Sequence, residues 1–261
     1  MKTLLICHEG ALLDQEILAR WLASFSELVG VVVLREKSER KFKRIKREIK
    51  RSGVLRFADV TAFRIYRKLF LAAEDEAWEK SELERLAAIY PKTLELPVLI
   101  SHSPNSVEAE QFIKEKQPDI IIARCKVILK KQIFSLAKTG TFVMHPGICP
   151  EYRNAHGCFW ALARGDFEKV GMTLLQIDEG VDTGPTYGYY SYDYDSLNES
   201  HVRIQNRVVL ENLPAIKEKL TEIYDGKAQA IPVTGRESQT WGHPWLTEYL
   251  TWKRRAKREG R

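Results

Sequence analysis

Residues 139–184 read TGTFVMHPGICPEYRNAHGCFWALARGDFEKVGMTLLQIDEGVDTG. The run TFVM predicts a strand that passes directly into His145-Pro146-Gly147. A turn-rich loop, ICPEYRNAHG, comes next, then a short helix, then a second strand, GMTLLQID, ending in Gly180-Val181-Asp182-Thr183-Gly184. A histidine and an aspartate, 37 residues apart, are thus expected just beyond the ends of two strands. Loops at strand ends are where α/β proteins place chemistry. A histidine beside a carboxylate is a general acid/base with a tunable protonation range.

Working outward, 2–7 (KTLLIC) reads as a buried strand and 10–25 as an amphipathic helix with Leu12, Ile17, Leu18, Trp21 and Leu22 inward. Residues 28–34 (LVGVVVL) read as the next strand. This βαβ opening implies a parallel sheet with helices on its faces. Strands are expected at 96–101 and 119–123, helices at 106–116 and 127–136, and one long helix over 200–224. The stretch 36–95 lacks strand alternation and holds three helix-like runs, 40–51, 59–73 and 75–89, the second carrying Phe63, Tyr66, Leu69 and Phe70. It is a helical insertion too long for an ordinary connection, a subdomain or a lid. The aromatic-rich tail, 240–252, is expected to pack back onto the body. The chain accordingly divides into a catalytic domain over 1–225 and an aromatic and basic extension over 226–261.

Composition narrows the classes. A hydrophobic content of 44% suits a globular core. No apolar run reaches membrane-spanning length. MKTLLICHEG breaks at His8-Glu9 and reads as a core strand, not a leader. Cys7, Cys125, Cys149 and Cys158 have no CxxC spacing, which predicts buried free thiols in a reducing cytoplasm. The net charge of +6 is uneven: 35–51 and 253–261 hold 16 basic and 4 acidic residues, leaving the rest at −6. Those segments suit a solvated helix face and a frayed tail, and keep nucleic acid open as a partner without favouring it. A homodimer is also left open. His145, Cys149, His156 and Cys158 fall within fourteen residues, but in no standard zinc pattern, so no metal is expected. HEGALLD, after the first strand, has no GxGxxG.

The central stretch resembles the folate-dependent formyltransferases, which formylate glycinamide ribonucleotide, methionyl-tRNA and amino-sugar nucleotides. The resemblance is carried by His145-Pro146, Pro150, Tyr152-Arg153, Gly171-Met172-Thr173 and Asp182-Thr183-Gly184. It implies a Rossmann-type α/β fold with a mostly parallel sheet, and 10-formyltetrahydrofolate as co-substrate for a small-molecule amine acceptor. It also implies catalytic roles for His145, as acid/base and oxyanion donor, and for Asp182, which sets the histidine's tautomer and charge. One position departs: the family's catalytic asparagine, two residues before the histidine, is Val143 here. Asn154, where the family has glycine, is a candidate replacement donor, or a turn residue tolerating positive φ. The loss leaves two further readings open, a formyltetrahydrofolate hydrolase and a catalytically silent folate-binding protein.

The same resemblance implies pterin contacts near Lys126, Val127, Ile128 and Leu129, and near Ile177, Gly180 and Val181. Arg124 is a candidate for the folate glutamate or an acceptor phosphate, or a surface arginine, and Arg153 a residue holding the loop. No strand-rich segment follows residue 190, which counts against tRNA as acceptor. The ribonucleotide enzymes' glycine-rich phosphate loop is absent as well. A small metabolite or nucleotide-linked amine is the expected acceptor.

Overall fold

The computed structural model describes residues 1–35, 53–92 and 95–260. Seven strands build one sheet: β1 (Lys2–His8), β2 (Glu27–Leu34), β3 (Val98–Ser101), β4 (Ile120–Arg124), β5 (Gly140–His145), β7 (Met172–Gln176) and β8 (Thr186–Tyr190). Their spatial order is β3-β2-β1-β4-β5-β7-β8. The first five neighbours are parallel, and β7 and β8 join antiparallel. Two-residue strands β6 (Arg153–Asn154) and β9 (Thr240–Trp241) pair separately.

Strand periodicity explains the layers. Leu5, Cys7, Val31, Val33, Ile120, Ile122, Phe142 and Met144 face one apolar cluster, and Leu4, Ile6, Val32, Leu34, Ile121 and Ala123 the other. Alternate side chains point to opposite faces, so a strand apolar on both must be covered on both. The second cluster is closed by Ile113 of α4 (Val107–Lys116) and Ile133 of α5 (Lys131–Phe134). Ser106 caps α4, accepting from the Ala109 N–H at 3.2 Å.

Two of the expected helices differ from expectation. The 10–25 segment is a π-helical turn, Leu13–Leu18, running into α1 (Ala19–Ala23). Ile17, Leu18, Trp21 and Leu22 are buried as expected, but Leu12 precedes the turn and is 42% exposed. The expected 200–224 helix is two, α7 (His201–Leu210) and α8 (Leu213–Tyr224). Pro214 sits in the first turn of α8, where it lacks an N–H and its ring opposes the Leu210 carbonyl, so the helix breaks before it. Asn212 fills the break, donating to the carbonyls of Val208 and Ser191 at 2.8 and 3.0 Å.

In the insertion, α2 (Val54–Phe70) and α3 (Ala72–Ile89) correspond to the second and third helix-like runs, while the basic run 40–51 lies outside the described residues. The stripe expected on α2 is split: Phe63 packs on Phe159, His201 and Tyr249, and Tyr66 on Tyr249, whereas Leu69 and Phe70 are exposed. The C-terminal helix α9 (Leu246–Glu259) buries Tyr249, Trp252 and Ala256 in the same cluster. It is not frayed. The Lys253 ammonium donates to the carbonyls of Ser196, Leu197 and Glu199 at 2.8–3.0 Å, and Arg255 to that of Ala163 at 3.2 Å. Among the described residues, no helix is long and apolar enough to cross a membrane.

Candidate active site

Val143 and His145 share one face of β5, because Phe142 and Met144 belong to the opposite cluster. The antiparallel pairing puts His145 opposite Thr173 and Phe142 opposite Gln176. The end of β7 is therefore beside the start of β5, away from the histidine. Both residues lie at or beyond a strand end as expected, but the strands are antiparallel, so those ends are opposite. The loop after β7 instead doubles back along the sheet and delivers Asp182 to His145. The Ile177 N–H bonds the Thr141 carbonyl at 2.7 Å as the loop departs. Asp178 accepts from the Gly180 N–H at 2.9 Å and from the Thr183 hydroxyl at 2.8 Å, which folds the loop tightly. At Gly184 a Cβ would come within 1.9 Å of the Gln176 carbonyl, so only glycine lets the returning chain pass.

His145 is buried, 5% exposed. Its Nε2 lies 2.8 Å from the Tyr152 carbonyl oxygen. A carbonyl only accepts, so Nε2 carries a hydrogen and Nδ1 is the nitrogen left to exchange a proton. Nδ1 faces Asp182 Oδ2 at 3.6 Å. The same Oδ2 accepts the Asn154 backbone N–H at 2.7 Å. Histidine tautomer and carboxylate position are thus both fixed from one loop, Tyr152–Asn154.

That loop closes on itself through glycine. A Cβ on Gly157 would meet Gly147 Cα at 2.5 Å and the Pro146 carbonyl at 2.8 Å, so the chains leaving and rejoining the site touch backbone to backbone. Thr173 adds a bridge, donating to the Gly147 carbonyl at 2.7 Å and accepting from the Cys149 N–H at 2.9 Å. The short helix after the loop is α6 (Gly157–Arg164), with all its apolar residues buried.

A cleft enclosing about 680 Å3, mouth included, opens on this face. Its walls include Lys126, Val127, Ile128 and Leu129 from the loop after β4, and Ile177, Gly180, Val181 and Asp182 from the loop after β7. Val143, Asn154 and Asp178 line it too, with Ala123 and Leu175, which the sequence reading did not name. Leu175 pairs with Val143 across the two strands, and Ala123 precedes the last residue of β4. The wall is mostly apolar, with Lys126, Asn154, Asp178 and Asp182 as its charged and amide members, the usual character of a small-molecule site.

Three candidates have their side chains held by other partners. Arg124 turns away, its Nε 3.1 Å from Asp14 and its Nη1 2.7 Å from the Met144 carbonyl, which ties β4 to β5 and the first helical turn. Asn154 adopts φ 77°, the glycine-favoured region, and its side-chain amide donates to the Trp241 carbonyl. Arg153 donates to the Val181 carbonyl at 3.0 Å and so holds the aspartate loop.

Near the cleft, half-buried His156 and buried His201 each have an enclosed, unpartnered Nδ1, their rings 5.8 Å apart. Burial, with His243, Lys126 and Arg67 nearby, pushes His156 down to about 3. His201 is also held well below the ordinary range, first by burial. Cys149 and Cys158 are buried thiols raised by burial, Cys158 to about 12, and it donates to the Gly171 carbonyl at 3.1 Å. Among the described residues, no group of three His, Cys, Asp or Glu side chains is arranged to hold a metal ion.

Comparison with known proteins bears on the family and the fold. The formyl transferase family model matches residues 67–219. Methionyl-tRNA formyltransferase from Chlorobium limicola is 39% identical over 92 residues, 35% of this chain and 28% of that protein. Human mitochondrial 10-formyltetrahydrofolate dehydrogenase is 33% identical over 113 residues, 43% of this chain and 12% of that protein. These alignments span less than a third of either relative. Phosphoribosylglycinamide formyltransferase from Anaplasma phagocytophilum superposes with a TM-score of 0.56 at 12% identity, covering 92% of this chain and 97% of that one. A sugar N-formyltransferase from a Shewanella species gives 0.56 at 12%, covering 98% and 88%. At such identities the superpositions speak for a shared fold.

Proposed function

Because the chain belongs to the formyl transferase family, we propose that it moves a formyl group from 10-formyltetrahydrofolate to an amino group of a small metabolite or nucleotide-linked acceptor. The observation that carries this reading is the convergence of the His145–Asp182 pair, through Asp182, on the apolar cleft walled by 126–129 and 177–181. Ala123, Val127, Leu129, Val143, Leu175 and Ile177 suit a flat heterocycle, and backbone groups of the two loops suit its polar edge. The co-substrate supplies the formyl carbon when bound. His145 Nδ1 takes the proton lost by the attacking amine and returns it to the leaving nitrogen. Asp182 holds charge beside Nδ1 and is itself anchored by the Asn154 N–H. We place the activity in the cytoplasm, with no membrane or nucleic-acid partner required.

A second reading is favoured by one observation. Val143 occupies the cleft wall two residues before His145 and cannot donate, and the Asn154 amide is engaged with the Trp241 carbonyl. An oxyanion then has one side-chain donor fewer, a loss of roughly 10²–10³ in turnover for typical sites. Hydrolysis of the formyl-folate, or binding without turnover, is the alternative. Incubation with 10-formyltetrahydrofolate separates the three. Folate-dependent formylation of an added amine supports transfer, formate release without amine supports hydrolysis, and tight binding with neither supports a silent site.

A further inference from the structure

We propose that the C-terminal strap Arg236–Gly242 is a positioning element of the His145–Asp182 pair, with Arg236 and Trp241 as its positioning residues. The proposal rests on the reading of that pair as the acid–base centre.

Three consecutive loop residues, Tyr152, Arg153 and Asn154, are two-faced. Tyr152 gives its carbonyl to His145 Nε2, while its ring stacks on Trp241 with centroids 5.7 Å apart and planes 15° apart. Arg153 gives its guanidinium to the Val181 carbonyl, while its backbone N–H bonds the Gln239 carbonyl at 3.1 Å. Asn154 gives its backbone N–H to Asp182 Oδ2, while its side-chain amide bonds the Trp241 carbonyl. One set of contacts orients the site, and the other attaches the loop to the strap.

The strap is firmly held to that loop. It pairs in register as a parallel strand, Arg153 with Thr240 and Asn154 with Trp241. The Gln239 N–H bonds the Pro150 carbonyl at 3.1 Å, and Trp241 Nε1 the Glu151 carbonyl at 2.9 Å. Arg236 forks onto both Glu151 oxygens, at 3.1 and 2.6 Å, and donates to the Tyr189 hydroxyl, whose ring lies 4.9 Å beneath it. Tyr189 in turn donates to the Cys149 carbonyl at 2.8 Å. A bidentate guanidinium–carboxylate pair fixes direction as well as distance. Beyond the strap, Trp160 Nε1 bonds the Gly242 carbonyl at 2.9 Å, and the Thr247 N–H at the start of α9 bonds Asp59 of α2 at 3.1 Å. The strap therefore joins the insertion and the C-terminal helix to the loop that sets the histidine tautomer.

The test uses the full chain and needs no substrate, so it stands apart from the proposed function. Long-range 1H–15N NMR reports the tautomer of His145. Wild type is expected to show a single form protonated at Nε2. Arg236→Ala, and separately Trp241→Phe, which keeps a stacking ring and loses the Nε1 donor, are expected to shift His145 to a mixture of tautomers. Arg236→Lys, which retains one contact to Glu151, is expected to restore the wild-type signals in part. Should Arg236→Ala not fold, Trp241→Phe alone decides. Unchanged His145 signals in a folded variant would overturn the proposal. A strap-dependent tautomer in a protein with no formyl transfer would overturn the proposed function and leave this coupling standing.

Discussion

Asp182 places Oδ2 3.6 Å from His145 Nδ1, although the two residues leave antiparallel neighbouring strands at opposite ends. The contact exists because the 177–184 loop turns back over the sheet and because the Asn154 N–H captures the same oxygen at 2.7 Å. Because the Tyr152 carbonyl occupies Nε2, the ring nitrogen left facing Asp182 is Nδ1.

His145→Ala removes the proton-exchanging nitrogen from a buried, loop-supported position. Turnover should fall to background while the fold persists, since the removed ring's one hydrogen bond is to a loop carbonyl. Asp182→Asn should lower kcat by roughly 10²–10⁴. Steady-state kinetics beside circular dichroism checks both; full activity in either variant would sink the mechanism.

Val143→Asn returns a donor to the cleft wall on the same strand face as His145. If the missing donor limits the chemistry, turnover should rise by roughly tenfold or more. A fall in turnover with intact folate binding would show that the valine is matched to a different reaction.

Asn154→Gly keeps the φ 77° conformation and the N–H that holds Asp182, and loses only the bond to the Trp241 carbonyl. A structural role predicts kcat within a few-fold of wild type, and a donor role predicts a loss of roughly 10²-fold or more. Asn154→Ala, strained at positive φ, should destabilise by about 1 kcal/mol regardless of role. Parallel kinetics and urea denaturation distinguish the two.

Acidification should destabilise the protein through His156 and His201. Both are held below the ordinary histidine range by burial, His156 to about 3. Below about pH 6.5 the unfolded chain binds protons there that the native state does not, so stability rises with pH across that window. Each histidine contributes a slope of up to roughly 1.4 kcal/mol per pH unit. Urea denaturation from pH 4.5 to 7.5 should show the slope, and His201→Gln should flatten it relative to wild type. An unchanged slope would place both imidazoles elsewhere in protonation.

Much of this was legible in the chain because it depends on local period and spacing. The short continuous apolar runs in KTLLIC, LVGVVVL and TFVMH mark the sheet, and His145-Pro146 with Asp182-Thr183-Gly184 marks the site. The cleft-wall residues from Lys126 to Leu129 and from Ile177 to Val181 came from the family resemblance. What stayed hidden depends on long-range pairing. The direction of β7 against β5 leaves no trace in its own residues, so the doubling back of the aspartate loop could not be read. Arg124 looks like a ligand group until its pairing with Asp14, 110 residues away, is seen. The strap was visible as an aromatic cluster, but its register against Arg153–Asn154 is a tertiary fact. The break at Asn212 was readable, since Pro214 follows it, and was overridden by apolar periodicity on both sides.

The account stands most directly on where a reduced folate sits. A crystal structure of the full chain with 5-formyltetrahydrofolate is the decisive measurement. The pterin is expected between the 126–129 and 177–181 segments, with N10, the nitrogen that bears the formyl group in the proposed co-substrate, directed at the His145–Asp182 pair. A folate bound elsewhere, or bound in this cleft with N10 turned away from that pair, would contradict the reading.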